Sequence, residues 1–231
     1  MYSQDSVQNG ISVLTLIIRK LFNQVHAWSD PTTGKSGLEH VLAVIAKQLQ
    51  GEDESGGLFI GDLIIHLLRI AGDAVLPVLP ELLQAMAGRM VTAKTATFVQ
   101  SLIIPFAFLV YHGQRDTVLS LLESTNINGR SALDIVINTW CENAETIQGF
   151  WAARISTLAL CQLYGAERPS LQQLIVKGDI IVKEETKDGT MSLLVYLRFT
   201  KFSNISSVIM TRSRTKKSTK PPKGTLVYTR P

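Results

Sequence analysis

Residues 59–72 read FIGDLIIHLLRIAG, residues 73–90 read DAVLPVLPELLQAMAGRM and residues 96–113 read ATFVQSLIIPFAFLVYHG. Each stretch is an amphipathic helical pattern. In the first, Phe59, Leu63, Leu67 and Ile70 recur at steps of four, four and three, the spacing that places them on one helix face. In the second, Leu79, Leu83, Met86 and Met90 do the same. Asp73 is the expected N-cap of this helix, and Pro77 and Pro80 crowd its first turn, where a missing N–H costs least. In the third, Val99, Ile103, Phe106 and Val110 form the stripe around an interior Pro105 expected to bend the helix. The unit endings Gly72 and Gly113 lie 41 positions apart. Two-helix units repeating at roughly 40 residues predict a HEAT or armadillo α-solenoid. One unit cannot bury its apolar stripe alone, so units stack into a curved rod that presents a long surface rather than a pocket.

The pattern extends both ways. Upstream, a helix is expected over Ser6–Val25 with Val7, Ile11, Leu14, Ile18 and Leu21 inward. The turn-rich stretch 29–36 ends it, and Leu38, Leu42, Ile45 and Leu49 mark a second helix. The acidic stretch Gly51–Gly57, GEDESGG, reads as a flexible turn. Downstream come a short helix over Thr117–Glu123, a turn at Asn126–Gly129, and a helix capped by Ser131 with Leu133, Val136, Ile137 and Trp140 inward. A long helix over Glu145–Tyr164 follows, with Trp151, Ile155, Leu158 and Cys161 inward, and a closing helix from Pro169 to about Lys177. The fold class is therefore all-α, a HEAT/ARM-type solenoid of about eight helices over residues 1–182. Residues 183–231 lack a helical period, and the expectation there is a basic, largely disordered tail.

Charge divides along the same line. The 231 residues carry a net +4; residues 183–231 hold +8 and residues 1–182 hold −4. An acidic helical body suits a basic partner. Glu52, Asp53, Glu54, Glu142 and Glu145 are the acids expected to face it. No apolar run approaches the ~18 residues that span a bilayer, and the N-terminal MYSQDSVQNG lacks a signal-peptide pattern. Cys141 and Cys161 form neither a metal pattern nor a disulfide framework, which suits a reducing compartment.

Catalytic motifs are not found. Gly34-Lys35-Ser36 lacks the glycine a P-loop needs five positions before Gly34, where Ser29 stands, and it follows a helix rather than a strand. Leu38 replaces the second glycine of a nucleophile elbow. His26, His40, His66 and His112 are not at metal-ligand spacing. The expectation is a non-enzymatic protein with no cofactor, no metal, no membrane association and no direct contact with nucleic acid.

Several segments resemble a known family. Phe98-Val-Gln-Ser-Leu-Ile-Ile104, Ala132-Leu-Asp-Ile-Val136 with Trp140, Ser156-Thr-Leu-Ala-Leu-Cys161, Val176-Lys-Gly-Asp179 and Met210-Thr-Arg-Ser-Arg214 resemble the C-terminal HEAT repeats of importin-nine-type karyopherins, in the importin-β superfamily. The ordered series ends in a signature formed by Lys177 and Gly178 with Thr211, Arg212, Ser213 and Arg214. The resemblance implies a carrier that wraps basic cargo such as core histones or ribosomal proteins, passes nuclear pore proteins, answers to the GTPase Ran, and shuttles between cytoplasm and nucleus across the nuclear envelope. The family's Ran-holding N-terminal repeats and acidic C-terminal region have no counterpart here, so the expected role is cargo binding. Met191–Ser206 interrupts the family spacing, as a translated intron would. The competing readings are a HEAT scaffold or adaptor unrelated to nuclear transport, and a gene-model fragment with no independent role. A short repeat array is also expected to expose apolar end faces and to be marginally stable or to self-associate.

Overall fold

The computed structural model describes residues 4–177 and 190–192. Eight α-helices of ten residues or more account for most of them: α1 Gln4–Ala27, α2 Gly37–Gln50, α3 Ile60–Ala71, α4 Leu79–Met90, α5 Ala96–Leu109, α6 Arg115–Ser124, α7 Ala132–Asn143 and α8 Phe150–Tyr164. A single turn, α9 Pro169–Gln172, follows. Two short antiparallel ladders join Asn126–Ile127 (β1) to Arg130–Ser131 (β2) and Ile175–Lys177 (β3) to Thr190–Ser192 (β4).

The helices form two layers. α1, α3, α5 and α8 lie side by side in one, each meeting the next; α2, α4 and α7 lie side by side in the other. α1 packs on α2 and α5 on α7 across the layers, and α6 fills in beside α4 and α7. One continuous apolar core runs between the layers from Ile11 to Val176. This layering, hairpin after hairpin, is the helical solenoid that the 41-residue spacing predicts.

The predicted breaks fall where expected. Gly72 and Gly113 both take positive φ, 51° and 88°. At Gly113 this reverses the chain between α5 and α6, a conformation other residues adopt only under strain. By length and composition alone, 60–90 and 96–124 are apolar enough to cross a membrane. In the fold, the first is broken by the 3-10 turn Gly72–Val78 and the second by the π turn Val110–Gln114, and both pack into the layers.

Several local expectations are corrected. Asp73 does not cap α4. It sits in the 3-10 turn, and α4 starts at Leu79 with Pro80 in its first turn. A helix capped by Asp73 would place Pro77 in its fourth position, where the ring clashes with the Asp73 carbonyl four residues back. Ser131 precedes α7, but its side chain makes no capping bond; its backbone is held in the β1–β2 ladder instead. Leu21 and Phe59 are exposed rather than buried, Leu21 at a local kink with φ −130° and ψ 24°.

At α8 the register differs. The helix begins at Phe150, after Gly149 at φ 92°. Ile155, Ser156, Ala159, Leu160 and Leu163 are buried, while Trp151 and Leu158 are exposed and Cys161 is half-buried. The inward arc is the one that meets α5, and Ser156 Oγ accepts a bond from the buried Trp140 Nε1 at 2.8 Å. The closing helix stops at Gln172. The chain then turns into strand β3, which packs on α7 with Val176 fully buried. Apart from 190–192, the expected tail over 183–231 lies outside the described residues.

Candidate protein-binding edge

The connections that lead from one helical unit to the next (51–59 before α3, 91–95 before α5, 144–149 before α8) all run from the α2/α4/α7 layer to the α1/α3/α5/α8 layer. They therefore share one edge of the rod. Every acid singled out from the sequence lies on this edge or beside it: Glu52, Asp53 and Glu54 in the first connection, Glu142 in the last turn of α7, and Glu145 in the third connection.

The first connection is not a flexible turn. Asp53 Oδ1 accepts bonds from Ser55 N–H at 3.1 Å, Ser55 Oγ at 2.6 Å and Gly56 N–H at 3.3 Å, an aspartate-centred turn. Gln8 Nε2, from α1, donates to Ser55 O at 2.6 Å. Glu54 reaches the second connection: its carboxylate accepts the N–H of Lys94 at 2.7 Å, the N–H of Thr95 at 2.8 Å and the Thr95 hydroxyl at 2.7 Å. These bonds place a negative charge just ahead of α5, where the helix dipole favours one. The Arg89 guanidinium lies 3.5 Å from the same carboxylate, donates to Thr92 Oγ1 and to Glu52 O, and sits 4.9 Å above the Phe98 ring. Both side chains of the pair are nearly buried, 8% and 11% exposed for Arg89 and Glu54.

The third connection is tied in the same way. Gln100, in the second turn of α5, donates to Gln148 O at 2.9 Å and accepts from Gln148 N–H at 2.8 Å. Glu54 and Gln100 thus lash the first and third connections to the N-terminal end of α5.

Electrostatics follow from these contacts. Burial alone would raise the Glu54 carboxyl, but the bonds from Thr95 and Lys94 and the charge of Arg89 outweigh it and hold the group below the ordinary carboxylate range. Asp53 is lowered by the Ser55 hydroxyl first, then by the N–H of Gly56. Both are anionic at neutral pH. Burial pushes the Cys141 thiol far up, and neighbouring Glu142 adds to the effect, so this cysteine is no nucleophile.

The five acids differ in exposure. Glu52, Asp53, Glu142 and Glu145 are exposed, with Asp53 Oδ1 used within its own turn, whereas Glu54 is nearly buried. Lys177 ends β3, where its backbone pairs with Thr190 of β4; Gly178, Thr211, Arg212, Ser213 and Arg214 lie outside the described residues. Gly34-Lys35-Ser36 is a capping loop. Ser36 Oγ accepts the Glu39 N–H and the Glu39 carboxylate accepts the Ser36 N–H at 2.6 Å, a reciprocal cap at the start of α2. Among the described residues, no three His, Cys, Asp or Glu side chains gather to hold a metal.

Two residues that organise the edge escape the sequence reading. Arg89 carried a signal, because it falls three residues after Met86 on the buried side of α4, where an arginine requires a partner. Gln100 carried none, since its partner is a backbone group 48 residues away.

Comparison with known proteins adds to this geometry. No family model matches the chain. It is 27% identical over 151 residues to importin subunit beta-5 of Schizosaccharomyces pombe, covering 64% of this chain and 15% of that protein. It is 25% identical over 157 residues to importin subunit beta-5 of Saccharomyces cerevisiae, covering 68% and 16%, and 26% identical over 128 residues to importin-9 of Drosophila melanogaster, covering 55% and 12%. The chain thus spans no more than about a sixth of the length of these curated relatives.

Proposed function

We propose, from its similarity to importin-type karyopherins, that the chain is a non-enzymatic cargo-binding segment of a nuclear import receptor. The single observation that supports this beyond the similarity is the edge itself: exposed Glu52, Asp53, Glu142 and Glu145 lie along a rigid border lashed to α5. Carboxylates spaced along an ordered backbone suit a basic protein surface, because the connections that carry them are already folded and the charges attract lysines and arginines from a distance. The cargo class is a basic protein such as a core histone dimer or a ribosomal protein. Ran and nuclear pore proteins would be met by the longer family architecture, and the setting is traffic between cytoplasm and nucleus.

A pull-down against a core histone dimer tests this reading. Binding is expected at low salt and falls steeply at moderate salt, as expected for rim charges. The triple variant Glu52→Gln/Glu142→Gln/Glu145→Gln is expected to weaken binding about tenfold, from three exposed charges each worth roughly 0.5 kcal/mol. Absence of binding at low salt, or binding indifferent to both salt and the triple variant, would remove the proposal.

A further inference from the structure

Four arginines, Arg89, Arg115, Arg130 and Arg168, each face a carboxylate within 3.5 Å. Arg19 on α1 and Arg69 on α3 do not. Both are exposed, and neither makes a hydrogen bond or an ion pair among the described residues. α1 and α3 lie side by side, and the bond from Gln8 to Ser55 O ties the start of one to the connection that leads into the other. On α3, Asp62, His66 and Arg69 recur at steps of four and three, so they share the face opposite buried Ile60, Ile64, Leu67 and Ala71. The half-buried His66 ring feels both guanidiniums. Burial first, then the charges of Arg19 and Arg69, hold it below the ordinary histidine range; Asp62, one turn earlier, opposes them and is outweighed. The other neighbours of α3 add nothing to this balance. α5 carries no titratable residue from Ala96 to Leu109, and neither Asp73 in the 3-10 turn nor the charged residues of α2 shift the ring. His66 Nδ1 is shielded from solvent and has no hydrogen-bond partner. In a body of net −4 over residues 1–182, this is a cationic cluster without its own carboxylate answer.

We propose that Arg19, His66 and Arg69 form a binding site for a phosphate monoester group. Two unanswered guanidiniums call for two negative charges in one compact group. A monoester carries roughly that charge at neutral pH, with three strong acceptor oxygens. These suffice for a fork from each arginine and an N–H from the imidazole, and the guanidinium fork matches phosphate geometry. A single carboxylate would leave one cation unanswered. The same chemistry is offered by a phosphorylated side chain of a partner and by free phosphate. The site takes the opposite charge to the acidic edge, so it does not rest on the cargo reading. Binding an anion offsets the repulsion that the arginines exert on His66 and so raises its affinity for a proton. By reciprocity, protonation of His66 tightens binding.

Nuclear magnetic resonance of the imidazole nitrogens on the full chain, with His66 assigned through His66→Gln, tests the proposal. O-phosphoserine is expected to move the His66 titration midpoint upward and to saturate. Sulfate, a dianion that does not titrate in the histidine range, is expected to bind more tightly as pH falls through that midpoint. Arg19→Gln/Arg69→Gln changes two exposed side chains that make no bond among the described residues. Without ligand it is expected to raise the His66 midpoint, which reports the cluster itself. With O-phosphoserine it is expected to weaken binding at least about tenfold. Tighter binding of O-phosphoserine than of inorganic phosphate supports the site with a phosphorylated partner segment as its source, and the reverse order supports it with free phosphate. A His66 midpoint indifferent to O-phosphoserine overturns the proposal. So does a response that sodium chloride at equal ionic strength reproduces in full, which is screening alone, or one undiminished in the double variant. The double variant keeps Glu52, Asp53, Glu142 and Glu145, so histone binding is expected to be unchanged in it, and each reading fails or stands by its own measurement.

Discussion

Arg89 shows how one charged residue inside an apolar stripe organises a surface far along the chain. A guanidinium at 8% exposure requires an answer to its charge. Glu54, Thr92, Glu52 O and the Phe98 ring answer the charge and the two terminal nitrogens, while Nε has no partner, and in doing so they fix the acidic connection before α3. Glu54→Gln keeps the shape but removes the charge and two acceptor sites. It is expected to cost about 2 kcal/mol in urea unfolding at neutral pH. The pH dependence has a definite sign. The folded carboxyl lies below its ordinary value, so in acid the unfolded chain takes up the proton first. The stabilisation is complete above the ordinary glutamate range and is lost as pH falls through the folded value. The gap between wild type and Glu54→Gln should therefore shrink on acidification. A gap that stays constant from neutral pH to below the carboxylate range would mean that Glu54 ionisation plays no part in holding the connection.

At the scale of elements, the close approach of α3 to α5 explains a glycine. Pro105 has no N–H to offer the Ser101 carbonyl four residues back. α3 approaches at that point so closely that a Cβ on Gly61 would lie 2.2 Å from Ser101 O. Only a glycine allows two backbones this near. Gly61→Ala sets two effects against each other: alanine gains about 1 kcal/mol of helix propensity, while overpacking against an immovable carbonyl costs about 1–3 kcal/mol. Backbone cannot rotate aside as a side chain can, so the second effect wins and the melting temperature falls by several degrees. Gly10→Ala in α1 is the control, since nothing lies within 4 Å of the Cβ it would add. It is expected to stabilise by roughly 0.5–1 kcal/mol. If both substitutions raise the melting temperature, the close α3–α5 approach is not real.

The same scale shows why some elements were legible and others were not. Helices α2, α3, α4 and α7 each have one dominant stripe, so period alone places them; Ser36 with Glu39 even declares the start of α2. α8 has apolar residues on nearly every side, from Phe150 and Trp151 to Leu160 and Leu163. Several stripes compete there, and contact with α5 selects among them, which no local pattern encodes. The acidic connection 51–57 misled for a related reason: it looks loose only because its partners Arg89, Lys94 and Thr95 are 37 to 41 residues away. Of the candidate site, the residue types were readable and their shared edge was not, since it emerges from the alternation of layers.

For the molecule as a whole, the consequence of layering is that stability is held locally. α3 has a neighbour on each side in its layer and α4 has one on each side in the other, whereas α1, α2 and α8 each lack one. In a rod built from nearest-neighbour joints, an element with one missing joint opens at lower free energy than an interior one. Backbone hydrogen exchange, followed by mass spectrometry at a concentration low enough to keep the chain monomeric, reads this directly. Protection is expected to peak in α3, α4 and α5 and to fall toward α2 at one end and α8 at the other. Gly61→Ala should lower protection in α3 and α5 far more than in α7. Uniform protection from α1 to α8, with Gly61→Ala lowering every helix equally, would describe a single cooperative globule and would contradict a fold assembled joint by joint.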